Sequence, residues 1–176
     1  MIKMKKTRML TEVAIGIAMA VVCSFIKVWE MPQGGSVSLT MIPLLIIAFR
    51  CGSLSGIIGG AIYGLLSMLI AGVIYHPMSI LLDYVLAYGL LGFSGLFKKS
   101  TMGILIGTTV GVAFRFLSSL VSGAVLFAEY APAGQNPWIY SLIYQASYMV
   151  PEFLISILAL IFLYKKAPKV FVSTKN

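Results

Sequence analysis

Arg115 lies near the middle of a long apolar segment, and Ser118, Ser119 and Ser122 follow it at i+3, i+4 and i+7. Those spacings put all four on one face of a helix. A second polar stripe, Ser141, Gln145, Tyr148 and Glu152, repeats at i, i+4, i+7 and i+11, and beside it Tyr140, Tyr144 and Tyr148 recur every four residues. One further acid, Asp83, precedes Tyr84 in another apolar run. A carboxylate among aromatic rings suits a flat organic cation, because the acid supplies charge and the rings supply stacking and cation–π attraction. Serine hydroxyls and a glutamine amide orient the heteroatoms of such a ligand. Catalysis finds less support. The one histidine, His76, sits beside Pro77 in a loop, and the chain has no His/Glu metal spacing, nucleophile elbow or Walker motif.

The elements that position these groups are set by composition. The 176 residues are 60% hydrophobic and 10% charged, too apolar for a soluble domain of this size. Six helical spans fit, roughly at 9–29, 39–50, 53–73, 78–97, 102–128 and 138–164. The expectation is an all-α membrane bundle forming a single domain over 1–176. About twelve residues of helix rise only ~18 Å, so the second span is short for a bilayer and is either buried or an incomplete crossing. Gly52, Gly56, Gly59, Gly60 and Gly64 crowd the third and let helix backbones approach closely. Cys23 and Cys51 offer no CxxC signature and read as packing residues. The basic, then apolar, start mimics a secretion signal, but more spans follow, which favours an uncleaved first helix.

Charge gives the orientation. Lys3, Lys5, Lys6 and Arg8 precede span one, Arg50 separates spans two and three, Lys98 and Lys99 separate four and five, and Lys165, Lys166, Lys169 and Lys175 follow span six. Six crossings put all of these on one side, which the positive-inside rule makes cytoplasmic together with both termini. The net charge of +8 is then explained by the inner leaflet, without nucleic acid. The outer side carries a Gly-rich loop at 31–38, a loop with Tyr75, His76 and Pro77, and a third at 129–138. Trp29 and Trp138 mark the outer boundary, where interfacial tryptophan is expected.

Helical rise sets the depths. Gln145 falls about 10 Å below the outer end of its helix, Arg115 about 18 Å and Glu152 about 20 Å. Asp83, Tyr84, Tyr140, Tyr144, Gln145, Ser119 and Ser122 then line an outer pocket with Arg115 at its floor. Glu152 is deep enough to pair with Arg115, in a structural role.

These residues resemble a known family. The stretch Met31-Pro32-Gln33-Gly34-Gly35-Ser36-Val37-Ser38 running into Ile42-Pro43, the His76-Pro77 and Leu82-Asp83-Tyr84 segment, Ser122-Gly123-Ala124-Val125, and Trp138-Ile139-Tyr140-Ser141-Leu142 are similar to the thiamine-specific substrate-binding subunits (ThiT, also called YuaJ) of energy-coupling factor transporters. The resemblance covers nearly the whole chain. It implies a six-helix, multi-pass subunit of a prokaryotic plasma membrane that binds thiamine from outside at very low concentration, under loops that close over it. It implies delivery inward with a membrane scaffold subunit and two cytoplasmic ATPases, so that ATP is used by partners and this chain holds no cofactor. It also implies docking on the scaffold through small residues of the first helix, here Ala14 and Ala18, with Gly16 and Ala20 beside them.

Carried over position by position, the resemblance makes Asp83, Tyr84, Tyr140 and Arg115 site residues, with Tyr144, Phe127 and Tyr75 as further aromatic candidates. Two positions depart. Ser119 stands where many members have histidine, and Gln145 where they have asparagine; in the family both help hold the aminopyrimidine end of thiamine. The ligand is therefore thiamine or a relative, such as a hydroxymethylpyrimidine, a thiazole or a pyridoxine-like ring. A non-transport membrane scaffold and a membrane enzyme are the remaining classes. A channel needs polar faces along the whole depth, whereas these residues cluster in the outer half, and an enzyme needs a reactive dyad that the sequence lacks.

Overall fold

In the computed structural model, residues 2–32, 34–71 and 76–172 are described. Six helices carry nearly all of the chain: α1 Ile2–Ser24, α2 Met41–Cys51, α3 Ser53–Ala71, α4 Pro77–Leu96, α5 Thr101–Val125 and α6 Pro137–Lys166. All but α2 are long and apolar enough to cross a bilayer. Single 3₁₀ turns follow α5 at Ala128–Tyr130 and α6 at Pro168–Phe171.

Local chemistry sets the helix starts. Asn136 accepts from the Trp138 N–H at 2.9 Å ahead of Pro137, and Ser100 accepts from Gly103 N–H at 3.0 Å. His76 likewise accepts from Met78 N–H at 3.1 Å through Nδ1, ahead of Pro77. These are N-caps that satisfy otherwise orphaned backbone donors. At the other end of α2, Gly52 adopts φ +96°, which lets α3 begin one residue later.

The first span departs from expectation. The helix stops at Ser24, and residues Lys27–Glu30 (β1) pair antiparallel with Ser36–Ser38 (β2). The all-α expectation therefore holds only nearly. Val28 and Trp29 favour extended backbone, and Gly34 and Gly35, at φ +92° and +88°, close the turn, with Met31 N–H donating to Gly35 O at 2.9 Å. Only glycine adopts such φ values at no steric cost. A hydropathy window registers apolar residues, but it does not separate a helix end from a strand.

The hairpin reaches deep. Ser38 Oγ lies 3.0 Å from Glu152 Oε1, a residue about 22 Å along α6 from its N-terminal end. The short α2 starts where β2 ends and runs on to the end that holds Arg50, the inner end by the positive-inside expectation, with eight of its 11 residues buried. Non-helical backbone at such depth is tolerated where it pairs with itself and lines a cavity.

Burial is inverted relative to a water-soluble protein. Leu54, Leu69, Leu158 and Phe162 are exposed, while Arg115, Glu152, Gln145 and Ser122 are buried. The apolar core sits in the inner half around α2, where Met41, Leu45 and Phe49 meet Tyr63, Leu91, Ile104, Leu160 and Phe171. Helix α3 packs against α4 through glycine. A Cβ at Gly60 would collide with the Tyr88 carbonyl, one at Gly64 with the Tyr84 carbonyl, and one at Gly56 with the Gly92 backbone. Three glycines spaced four residues apart thus meet the facing backbone directly.

At the inner end, Arg50 donates to Glu12 at 2.9 and 2.8 Å and to the carbonyls of Lys169 and Val170 at 2.9 and 3.0 Å. Lys99 Nζ donates to the Arg50 carbonyl at 3.4 Å. Arg50 thereby ties α1, the C-terminal 3₁₀ turn and the loop before α5 to the end of α2.

Candidate functional site

Between the hairpin and α3, α4, α5 and α6 lies a cavity of about 530 Å³. Its size falls in the range of small-molecule sites. The site begins with Asp83, which sits in a stretch of α4, Ile80–Leu86, that is wound as a π-helix. Such widened turns recur at functional sites. Here Ser118 Oγ of α5 donates to the Leu82 carbonyl at 2.6 Å, and one helical turn further on Ser122 Oγ donates to Asp83 Oδ2. The Arg115 stripe therefore docks onto the Asp83 turn, which fixes the carboxylate at the cavity wall.

Helix α6 supplies the aromatic wall. The Tyr140 and Tyr144 ring centroids are 6.0 Å apart and those of Tyr144 and Tyr148 are 6.3 Å apart. The Tyr144 hydroxyl donates to the Gly34 carbonyl of the hairpin at 2.9 Å. Phe127 and Tyr130 stand at the outer end of α5, 6.0 Å apart. The Gln145 amide donates from Nε2 to the Ser119 carbonyl at 3.2 Å and accepts at Oε1 from the Tyr148 hydroxyl.

The floor is an ion pair. Arg115 Nη1 donates to Glu152 Oε2 at 3.1 Å, and both side chains are nearly inaccessible, 6% and 1%. The guanidinium lies 4.6 Å from the Tyr88 ring centroid, and Ser38 adds a hydrogen bond to the other Glu152 oxygen. An isolated charge here would be costly; paired and hydrogen-bonded, the two groups neutralise each other. Asp83 is left as the cavity carboxylate without a basic partner among the described contacts.

Of the candidates named from sequence, Asp83, Tyr84, Arg115, Ser119, Phe127, Tyr140, Tyr144 and Gln145 all line this one cavity. Tyr75 lies outside the described residues. His76 is occupied as the α4 cap. The small residues of α1 divide. Ala14 and Ala18 are exposed, whereas Ala20 is fully buried and Gly16 faces Ile47 so closely that a Cβ there would collide with it. Gly16 and Ala20 therefore serve packing within the bundle and do not share an outward face with Ala14 and Ala18. The sequence marks Gly35 and Ser38 only as members of the 31–38 stretch, and does not mark Tyr88 or the Lys27–Glu30 ion pair, 2.5 Å apart, at the cavity edge. Their contacts bridge elements far apart in sequence, and no local periodicity announces them.

Comparison with known proteins agrees with this architecture. The family described as thiamine transporter protein (Thia_YuaJ) matches residues 10–172. The chain is 39% identical to the thiamine transporter ThiT of Bacillus subtilis (strain 168), over 94% of this chain and 95% of that protein. It is 25% identical to ThiT of Lacticaseibacillus paracasei, over 96% and 92%. The solved structure of ThiT from Listeria monocytogenes superimposes with a TM-score of 0.87 at 28% identity, covering 96% of this chain and 99% of that one. With its long apolar helices, the chain is a multi-pass protein of the plasma membrane. It belongs to the thiamine transporter protein family.

Proposed function

We propose that this chain is the substrate-binding subunit of an energy-coupling factor transporter, one domain over 1–176 that captures thiamine from outside with high affinity. Thiamine carries a fixed positive charge on one aromatic ring and an aminopyrimidine on the other. The observation that carries the reading is the Asp83 carboxylate, held by Ser122 inside a tyrosine-walled cavity whose other deep charges cancel. Asp83 supplies the anionic partner, and Tyr84, Tyr140, Tyr144 and Phe127 supply the faces on which the rings stack. Ser119 and Gln145 take the aminopyrimidine end. The Arg115–Glu152 pair closes the floor without offering a free charge. The hairpin, tied to α6 through Tyr144 and Ser38, covers the ligand. A titration calorimetry experiment on the purified protein tests this: thiamine binds in the nanomolar range, and its pyrimidine half or pyridoxine binds far more weakly. Tighter binding of either of those would reassign the ligand.

In this reading both termini and the basic cluster around Arg50 face the cytoplasm and the hairpin faces outward, with six crossings of which α2 and β2 together make one. Transport depends on a scaffold subunit and two ATPases. The exposed Ala14 and Ala18 form the docking face, since small side chains allow close helix approach. Tryptophan at either position abolishes uptake in cells expressing the whole transporter and leaves thiamine affinity unchanged. Normal uptake by both variants puts the docking face elsewhere.

A further inference from the structure

Gln145 is held at both ends of its amide. Its Nε2 donates to the Ser119 carbonyl at 3.2 Å. A carbonyl only accepts, so the amide nitrogen must face α5 and Oε1 must face the other way. There the Tyr148 hydroxyl donates to it. One N–H and one lone pair remain for a ligand, in a fixed order.

Tyr148 is itself held from the hairpin side. It is 6% exposed, and its ring lies under Gly35, where a Cβ would come within 2.7 Å of Cε1. The backbone of Gly35, at φ +88°, makes that close seat possible. Little of the side chain is open to solvent, and a hydrogen bond shielded in this way is stronger than one in solvent.

We propose that Tyr148 is a positioning residue for specificity: with Nε2 turned to the Ser119 carbonyl, its hydroxyl, shielded by the seated hairpin, pins the Gln145 amide in the position that reads an aminopyrimidine edge. The inference rests on the cavity being a thiamine site. An aminopyrimidine presents a ring-nitrogen acceptor beside an amine donor, which complements the N–H and C=O of the amide. In the 4-oxo analogue of thiamine the ring nitrogen carries hydrogen and the exocyclic atom accepts, so the order is reversed. Turning the amide over to match would set Oε1 against the Ser119 carbonyl. Without the Tyr148 hydroxyl the amide tilts away from that conflict, and the distinction weakens.

The test is calorimetric affinity for thiamine and its 4-oxo analogue in wild type, Tyr148→Phe, Gln145→Leu and the double variant. The wild-type preference for thiamine falls by about tenfold in Tyr148→Phe, the worth of one such hydrogen bond, and Tyr148→Phe changes nothing further in the Gln145→Leu background. Gly35→Ala, which forces a methyl against the same ring from the hairpin, lowers the same preference and keeps the inference testable should Tyr148→Phe fail to fold. Equal weakening of both ligands in Tyr148→Phe, an additive effect in the double variant, or a wild-type preference in Gly35→Ala overturns the inference while thiamine binding by the wild type stands. A wild-type protein that binds neither ligand overturns the thiamine reading and this inference with it.

Discussion

In the inner half of the bundle, Met41, Leu45 and Phe49 of α2 meet Leu91, Leu160 and Phe171 in an apolar core. In the outer half, α4, α5 and α6 turn Asp83, Ser119, Gln145 and five tyrosines toward a cavity, and the chain leaves regular α-helix in the hairpin and in the widened turn at Asp83. Two of the ion pairs mark the same divide. Arg50–Glu12 is partly exposed, with side chains 23% and 16% accessible, and ties the ends of helices together; Arg115–Glu152 is sealed at 6% and 1% and underlies the cavity. The difference teaches a division of labour. Cohesion is concentrated where packing is dry, and recognition where polar groups need fixed partners.

Removing one member of the sealed pair gives the largest expected effect. Glu152→Ala strands a buried guanidinium and costs about 3–5 kcal/mol of stability, read as a drop in thermal midpoint in detergent. The joint change Arg115→Met with Glu152→Met recovers most of that loss, and a double variant as unstable as the single one would mean the pair does more than neutralise itself. Next comes the inner packing. Gly60→Leu drives a side chain into the Tyr88 carbonyl and costs about 3 kcal/mol, lowering the thermal midpoint whether or not ligand is present. Wild-type stability there would dissolve the contrast between the two halves.

In the outer half the effects move from stability to affinity. Asp83→Asn keeps the Ser122 contact and removes the charge, so thiamine affinity falls by about thirtyfold, the ~2 kcal/mol of a charge-assisted contact, with little change in melting. The smallest effect belongs to Tyr144→Phe, which deletes the hydroxyl bond to Gly34. It speeds ligand release by a few-fold, the ~1 kcal/mol of a neutral hydrogen bond, in stopped-flow dissociation. If it destabilises the protein as much as Gly60→Leu does, the hairpin belongs to the cohesive half.

Much of the site was legible because helices are periodic. Arg115, Ser118, Ser119 and Ser122 share a face whatever they pack against, and Asp83 in an apolar run demands a polar partner, which Ser122 provides. The depth argument from helical rise brought Glu152 to Arg115. The hairpin escaped because residues 25–30 are as apolar as a helix end, and what bends them back is the Gly34–Gly35 turn. The docking face was half legible. Four small residues on α1 look alike in sequence, and only the position of Ile47 on the neighbouring helix shows that Gly16 is spoken for. The widened turn at Asp83 has no sequence signal; it lies where Gly64 of α3 draws close to the Tyr84 carbonyl and Ser118 binds Leu82 from the other side.

The brevity of α2 bears on how the chain enters the bilayer during synthesis. Eleven residues, rising about 17 Å, are too few to partition into lipid unaided, and α2 is joined to α3 through Gly52 alone. The two helices must therefore thread in as a coupled pair, α3 carrying its short neighbour, and the hairpin folds down only once later helices give it a wall to lean on.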